Sequence, residues 1–161
     1  MSELAKHPRL DWLNSGDIRP YVYVRPENRI TQPGARFQLD WFASEPVYKN
    51  PLMMDEVDFA DQILRLETRA FAASNMPMPR WVFYDCAVMP GFVAGFAIHH
   101  SKATPAMLEI LQPGENTEWL PISLFICIPT MAHKEWVAHN LCSINSILPQ
   151  GEGLYGLGFL S

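Results

Sequence analysis

No stretch of this 161-residue chain is apolar for long enough to cross a bilayer. The longest nearly apolar run, residues 119–129, falls short of the about 20 residues that a spanning helix needs. The opening segment, MSELAKHPRLDWL, has mixed charge and no apolar core, so it does not read as a secretory signal. Positive charge is scarce as well. Twelve Lys and Arg stand against 17 Asp and Glu, giving a net charge of −5. That argues against nucleic-acid binding, which needs a broad basic face. It leaves room for a small anion held by local dipoles, and it favours a cationic partner such as an amine. Cysteine is limited to Cys86, Cys127 and Cys142, an odd number at wide spacing, each in an apolar run. They read as reduced, buried thiols of a cytoplasmic protein, not as a disulfide framework. No Cys-x-x-Cys, His-x-x-x-His or carboxylate cluster is present, so no metal site is expected. His99 and His100 end a strand, where neighbouring side chains diverge, and His133 and His139 lie six apart.

What is present is a globular composition. Apolar residues make up 48% and charged residues 18%, enough to bury one core. Residues 1–50 read as an irregular, proline-punctuated arm or extension, with short strands at 21–24 and 36–43. Whether this part joins the same core is open at the level of sequence. Residues 51–161 read as the main α/β portion. The best helix covers 55–73, with Asp55 as N-cap and Glu56, Asp58 and Asp61 in the first turns. Phe59, Ile63, Leu66 and Ala70 form its apolar stripe, and Asp61 and Arg65 are spaced for an i,i+4 pair. Residues 80–88 and 92–99 are β-favouring and flank Met89-Pro90-Gly91, which predicts a hairpin. Gly95 inside the second run marks a close neighbour or a bulge. A third strand is expected at 106–111, a turn at 113–116 and a buried strand at 119–128. A helical turn at 131–136 and a last strand at 137–148 follow. The pattern predicts an α+β fold, a mostly antiparallel mixed sheet with a helix packed on one face.

Four glycines (Gly151, Gly153, Gly156, Gly158) crowd the end of the chain after Pro149. Bare amides in such a loop accept an anion. The segment lacks the Gly-Lys-Ser/Thr of a P-loop. Gly151, Gly153 and Gly156 match G-x-G-x-x-G, but no βαβ unit or downstream acid accompanies them. From Asp55 onward the chain resembles the GNAT superfamily of acyl-CoA-dependent N-acyltransferases. The resemblance rests on Phe92-Val-Ala-Gly95-Phe96-Ala-Ile98, on a strand ending at Ile147-Leu148-Pro149, and on Gly153-Leu-Tyr-Gly156-Leu-Gly158. It covers the first half of that domain, up to the glycine-rich loop. On this reading the chain is cut short there, as the amino-terminal half of a longer domain. The resemblance implies acyl-CoA as co-substrate, an amine acceptor and no metal. It implies a coenzyme A site at Asn145, Ile147, Leu148, Gly153, Leu154, Tyr155, Gly156, Leu157 and Gly158. It also implies a general base on the strand before the loop, where His139 stands.

The residues around this site are otherwise plain. An imidazole is suited to taking a proton from an ammonium group. Cys142 lies three residues from His139, which on a strand puts the two on opposite faces and argues against a thiol–imidazole dyad. Asp85 and Glu109 are isolated carboxylates. The eight methionines and the aromatics serve core packing first, and the lining of an acyl-chain pocket second. Two functions therefore stand side by side. One is an acyltransferase acting on a small molecule. The other is a non-catalytic α+β module that binds a small apolar ligand or a protein partner, with an exposed strand edge open to homo-oligomer formation.

Overall fold

A computed structural model describes residues 15–23, 51–84, 92–130, 132 and 135–154. The fold is α+β, as the pattern predicts. Its six-stranded mixed sheet is antiparallel except for one parallel pair. The strands are β1 (Ile18–Tyr23), β2 (Leu52–Met54), β3 (Phe92–His99), β4 (Trp119–Pro121), β5 (Ser123–Pro129) and β6 (Trp136–Ser143). Their order is β2-β1-β3-β5-β6, and β4 pairs with the end of β3. The two longer helices among the described residues are α1 (Val57–Phe71) and α2 (Pro105–Leu111). No helix among the described residues is long and apolar enough to cross a membrane.

β1 belongs to the core. It sits between β2 and β3, and Ile18, Tyr21 and Tyr23 are almost fully buried. Part of the stretch that reads as an arm is thus an inner strand. The strand predicted at 36–43 lies outside the described residues. Pro20 occupies the half of β1 that β2 does not reach, where a missing N–H is tolerated.

α1 lays its apolar stripe on the sheet. Phe59, Ala60, Ile63 and Leu66 are buried, and the Phe59 ring meets Tyr21 edge-on at 4.9 Å and stacks with Tyr23 at 6.5 Å. Its start differs from expectation. The N-cap is Glu56, with no side-chain cap bond, and not Asp55. The first-turn acid that matters is Asp58. Its Oδ2 accepts from Gln62 Nε2, Gly114 N–H and Thr117 Oγ1, tying α1 to the predicted 113–116 turn. Burial alone would raise the Asp58 pKa. The three hydrogen bonds and the charge of Arg65 outweigh it and hold the carboxyl below its usual range. The expected Asp61–Arg65 pair is replaced too. Asp61 binds Arg80 and Tyr84, and Arg65 binds carbonyls of the α2 end.

Two stretches predicted as strand are helical where described. Residues 80–84 form a helical turn, Arg80–Val82 with Phe83 and Tyr84 following, and residues 85–91 of the expected hairpin lie outside the described residues. Helical spacing puts Arg80 and Tyr84 side by side, which lets both reach Asp61 while Phe83 enters the core. Residues 106–111 belong to α2. Thr104 caps it by accepting from Met107 N–H, and Pro105 starts it. A Thr-Pro pair is a helix start that outweighs the β-favouring content of a short run. Trp136 opens β6 instead of closing a helical turn, and β6 stops at Ser143 in a 3-10 turn (Ile144–Ser146).

The buried strand predicted at 119–128 exists but is broken at Ile122. Ala94 faces Phe125 while Ala97 faces Pro121, a slip of one residue. At the break, Ile122 N–H donates to Phe96 O, and Ser123 Oγ accepts from Phe96 N–H. Ser123 O accepts from the Tyr21 hydroxyl at 2.9 Å. Burial holds that hydroxyl protonated, with a pKa well above normal. Gly95 lies under this junction, and a Cβ there would stand 2.2 Å from Ser123 O. The close neighbour that the sequence expects at Gly95 is therefore a backbone carbonyl. Gly95→Ala should destabilise the fold by at least the about 1–3 kcal/mol typical of overpacking, because a backbone oxygen cannot turn aside. Urea unfolding should show a lower midpoint with an unchanged slope. A midpoint equal to wild type would mean the junction is loose.

Candidate functional site

β6 carries the residues of interest, and its register explains why. Asn140 faces Ile126 and Ala138 faces Cys127, so His139 is the extra residue of a β-bulge. Bulges re-aim side chains and occur next to active sites more often than chance. β6 is also the last strand of the sheet among the described residues. His139 is exposed at this rim.

A short relay runs inward from it. His139 Nδ1 lies 2.8 Å from Asn140 Oδ1. Asn140 Nδ2 donates to Glu67 Oε1 at 2.8 Å. Both Glu67 oxygens accept from the Met78 N–H, at 3.1 and 2.9 Å. Glu67 comes from α1 and is fully buried. The relay assigns the tautomer. An ionised Glu67 requires the Asn140 amide nitrogen toward it, which turns Oδ1 toward His139. The Nδ1 atom must then carry the hydrogen, leaving the Nε2 lone pair free to take a proton.

Burial raises the Glu67 pKa above its usual 4.5, against the pull of the Met78 N–H, the Asn140 amide and the His139 charge. Cys142 follows on β6 and is buried; burial first, and then the Glu67 charge, push its thiol up to about 12. A thiol so hard to ionise is no nucleophile. Cys86, His133 and Asp85 lie outside the described residues. His99 and His100 diverge: His99 Nδ1 meets Ser101 Oγ, and His100 Nδ1 meets Thr117 O. Among the described residues no group of three or more His, Cys, Asp and Glu could hold a metal ion.

The second feature is the turn after β6. Ser143 Oγ accepts from Asn145 N–H and starts the 3-10 turn. The Asn145 side chain then grips Leu154 from both sides. Its Oδ1 accepts from Leu154 N–H at 2.8 Å, and its Nδ2 donates to Leu154 O at 3.1 Å. Leu154 is buried, and a Cβ on Gly153 would come within 3.4 Å of Asn145 Oδ1. Ile147 and Leu148 pack against the core beside this clamp. Asn145, Gly153 and Leu154 are thus brought together. The Leu154 N–H is spent on Asn145, so Leu154 anchors the glycine-rich segment and does not offer its amide to an anion. Tyr155, Gly156, Leu157 and Gly158 lie outside the described residues. No described hydrogen bond links His139 to the clamp.

Sequence reading missed Glu67 and Asn140. A sign was there: Glu67 falls four residues after Ile63 and directly after Leu66, on the stripe turned to the core. A carboxylate in that place needs partners. No family model, no curated protein and no solved structure matches the chain.

Replacing Glu67 by Ala should cost about 1–3 kcal/mol, since the Met78 N–H and the Asn140 amide would be buried without acceptors. The pH dependence has a definite sign. A folded pKa above the unfolded one gives stability that is full below about pH 4.5 and lost as pH rises through the folded value. Wild type should therefore lose more stability than Glu67→Gln as pH rises from the usual carboxylate value through the raised folded one. Parallel pH slopes in chemical denaturation of the two proteins would show that Glu67 keeps an ordinary pKa.

Proposed function

We propose that the protein is an acyl-CoA-dependent N-acyltransferase of the GNAT type, with His139 as the general base. One observation carries this reading: an exposed rim histidine whose Nδ1 lies against Asn140 Oδ1, the same Asn140 whose amide is held by the buried Glu67. Such an imidazole is oriented for one task, taking a proton from outside. Two further features support the reading. Among the described residues the outer edge of β6 has no strand beside it, and its backbone groups can pair with the amides of a pantetheine arm as a strand would. The turn that ends β6 also holds the start of the glycine-rich segment, through Asn145 and Leu154.

The chemistry is direct transfer. The acceptor binds as an ammonium ion, and His139 Nε2 removes one proton. The freed amine attacks the thioester carbonyl and forms a tetrahedral adduct. Collapse breaks the C–S bond, the sulfur leaves as the coenzyme A thiolate, and the amide nitrogen gives up its remaining extra proton to solvent. Residues after Leu154 (Tyr155, Gly156, Leu157 and Gly158) supply the amides for the pyrophosphate.

A second reading rests on a different observation. Trp81 is 65% and Met76 74% exposed, either side of the Pro77-Met78-Pro79 crossing. Large apolar groups left in water at one place suit a module that binds an apolar ligand or a protein partner.

Thermal unfolding with millimolar acetyl-CoA and a longer acyl-CoA separates the two. A ligand of the folded state adds about 2.7 kcal/mol at a hundredfold excess over its Kd, so the midpoint should rise. His139→Gln should keep that rise while kcat for coenzyme A release with an amine panel falls about 10²–10⁴-fold. No rise with either thioester would overturn the acyltransferase reading and leave the binding module.

A further inference from the structure

The face of α1 turned away from the sheet is more than a solvated surface. Between it and α2 lies an open groove of about 390 Å³. Its floor is apolar, made by the nearly buried Leu64 and Ile110. Its walls carry Arg65, Arg69 and Arg80 against two carboxylates, Asp61 and Glu109.

Two of these arginines are held by the protein itself. Arg65 Nη1 donates to Leu111 O at 2.8 Å and Gln112 O at 3.1 Å, carbonyls left open where α2 ends. Arg80 Nη1 donates to Asp61 Oδ1 at 2.6 Å, and its guanidinium lies 4.9 Å over the Tyr84 ring. The same Asp61 oxygen accepts from the Tyr84 hydroxyl at 2.8 Å, so this carboxylate is committed. A guanidinium has five donors, and one Nη1 does not exhaust them.

Arg69 differs. It stands one turn beyond Arg65 on the same face, is exposed, and makes no hydrogen bond or ion pair with a described residue. Like charges at i,i+4 repel, although a place in the last turn of α1 offsets part of this. Glu109 is exposed on the facing wall and likewise forms no ion pair with a described residue.

The charges then decide the ligand. With Asp61 matched to Arg80 and the Arg65 charge answered in part by Asp58, Arg69 is left facing Glu109, so the groove offers at most one positive charge in excess. A carboxylate brings one negative charge, whereas a phosphate monoester brings about −1.5 to −2 at pH 7. The guanidinium fork fits the two carboxylate oxygens, and the Leu64–Ile110 floor fits an apolar stem. The volume is near the lower end of the about 300–1,000 Å³ of ligand pockets, which points to a short stem.

We propose that this groove binds an organic carboxylate on a short apolar stem, with Arg69 and Arg65 on the carboxylate and the stem on Leu64 and Ile110. The inference is independent of the acyltransferase reading, since neither His139 nor the glycine-rich segment takes part. A free short-chain acid and the carboxyl terminus of a peptide present the same chemistry.

An NMR titration of the full chain with hexanoate tests it, with hexanamide and inorganic phosphate as controls. A peptide ending in leucine, with its terminus free or amidated, tells the two sources apart. Hexanoate should shift the Leu64 and Ile110 methyl signals saturably, and hexanamide should not. Arg69→Gln should weaken binding at least tenfold, and Glu109→Gln should tighten it severalfold by removing the competing carboxylate. Both residues are exposed, so thermal midpoints of the variants should match wild type and exclude misfolding. Tighter binding of the free-ended peptide, lost on amidation, names the peptide terminus as the source; tighter binding of hexanoate names the free acid. The proposal is overturned if hexanamide or phosphate binds as tightly as hexanoate, if Arg69→Gln leaves the affinity unchanged, or if no ligand saturates.

Discussion

A single buried carboxylate holds three parts of this molecule in relation. Glu67 enters the core from α1, takes the Met78 N–H from the segment that leaves the helix, and takes the Asn140 amide from β6. A buried carboxylate is tolerated only when hydrogen bonds answer its lost hydration. Met78 donates a backbone N–H, and Asn140 donates one end of an amide whose other end meets His139. The helix, the crossing segment and the rim strand must therefore stay in one geometry. The rim histidine meets that constraint through Asn140, so the candidate site rests on the same atoms that pack the core.

The sheet is shaped by two irregularities, and both depend on small local facts. At Ile122 the strand facing β3 breaks, and the Ser123 carbonyl swings toward Gly95, where no Cβ obstructs it. Tyr21 crosses from β1 to hold that carbonyl with its hydroxyl. At His139 the second irregularity sets one residue out of register and turns it to the rim. The first brings a backbone carbonyl against Gly95, and the second sets the candidate base at the rim. An unbroken ladder would have kept both residues in strict alternation.

The two faces of α1 have different chemistry. The face on the sheet carries Phe59, Ile63 and Leu66 with Glu67 set among them. The side facing α2 carries Arg65 and Arg69, joined at the groove by Arg80 from the turn after the helix and by the apolar Leu64 and Ile110. Asp58 and Arg65 fasten the helix to the segment around α2, Asp58 through Gly114 and Thr117, Arg65 through Leu111 and Gln112. The same helix thus frames the relay on one side and the groove on the other.

The apolar stripe of α1, the buried run at 119–128 and the constraint at Gly95 were legible in the sequence, because each follows from a local period or a missing side chain. So was the α+β class. The helical states of 80–84 and 105–111 were not legible, since short β-favouring runs yield to caps and to distant partners. For 80–84 the partner is Asp61, nineteen residues back along the chain from Arg80. The site was half legible. His139 stood out as an imidazole before a glycine-rich segment, and Asn145 and Leu154 stood near it. Glu67 is 73 residues from Asn140 in sequence, and only the packing of α1 against β6 unites them. Distance along the chain therefore separates what the sequence determines from what the fold decides. Periodicity and turn chemistry act within a few residues and can be read directly. Hydrogen bonds to a buried charge, the register of a bulge and the convergence of three arginines exist only after the chain has brought remote segments together.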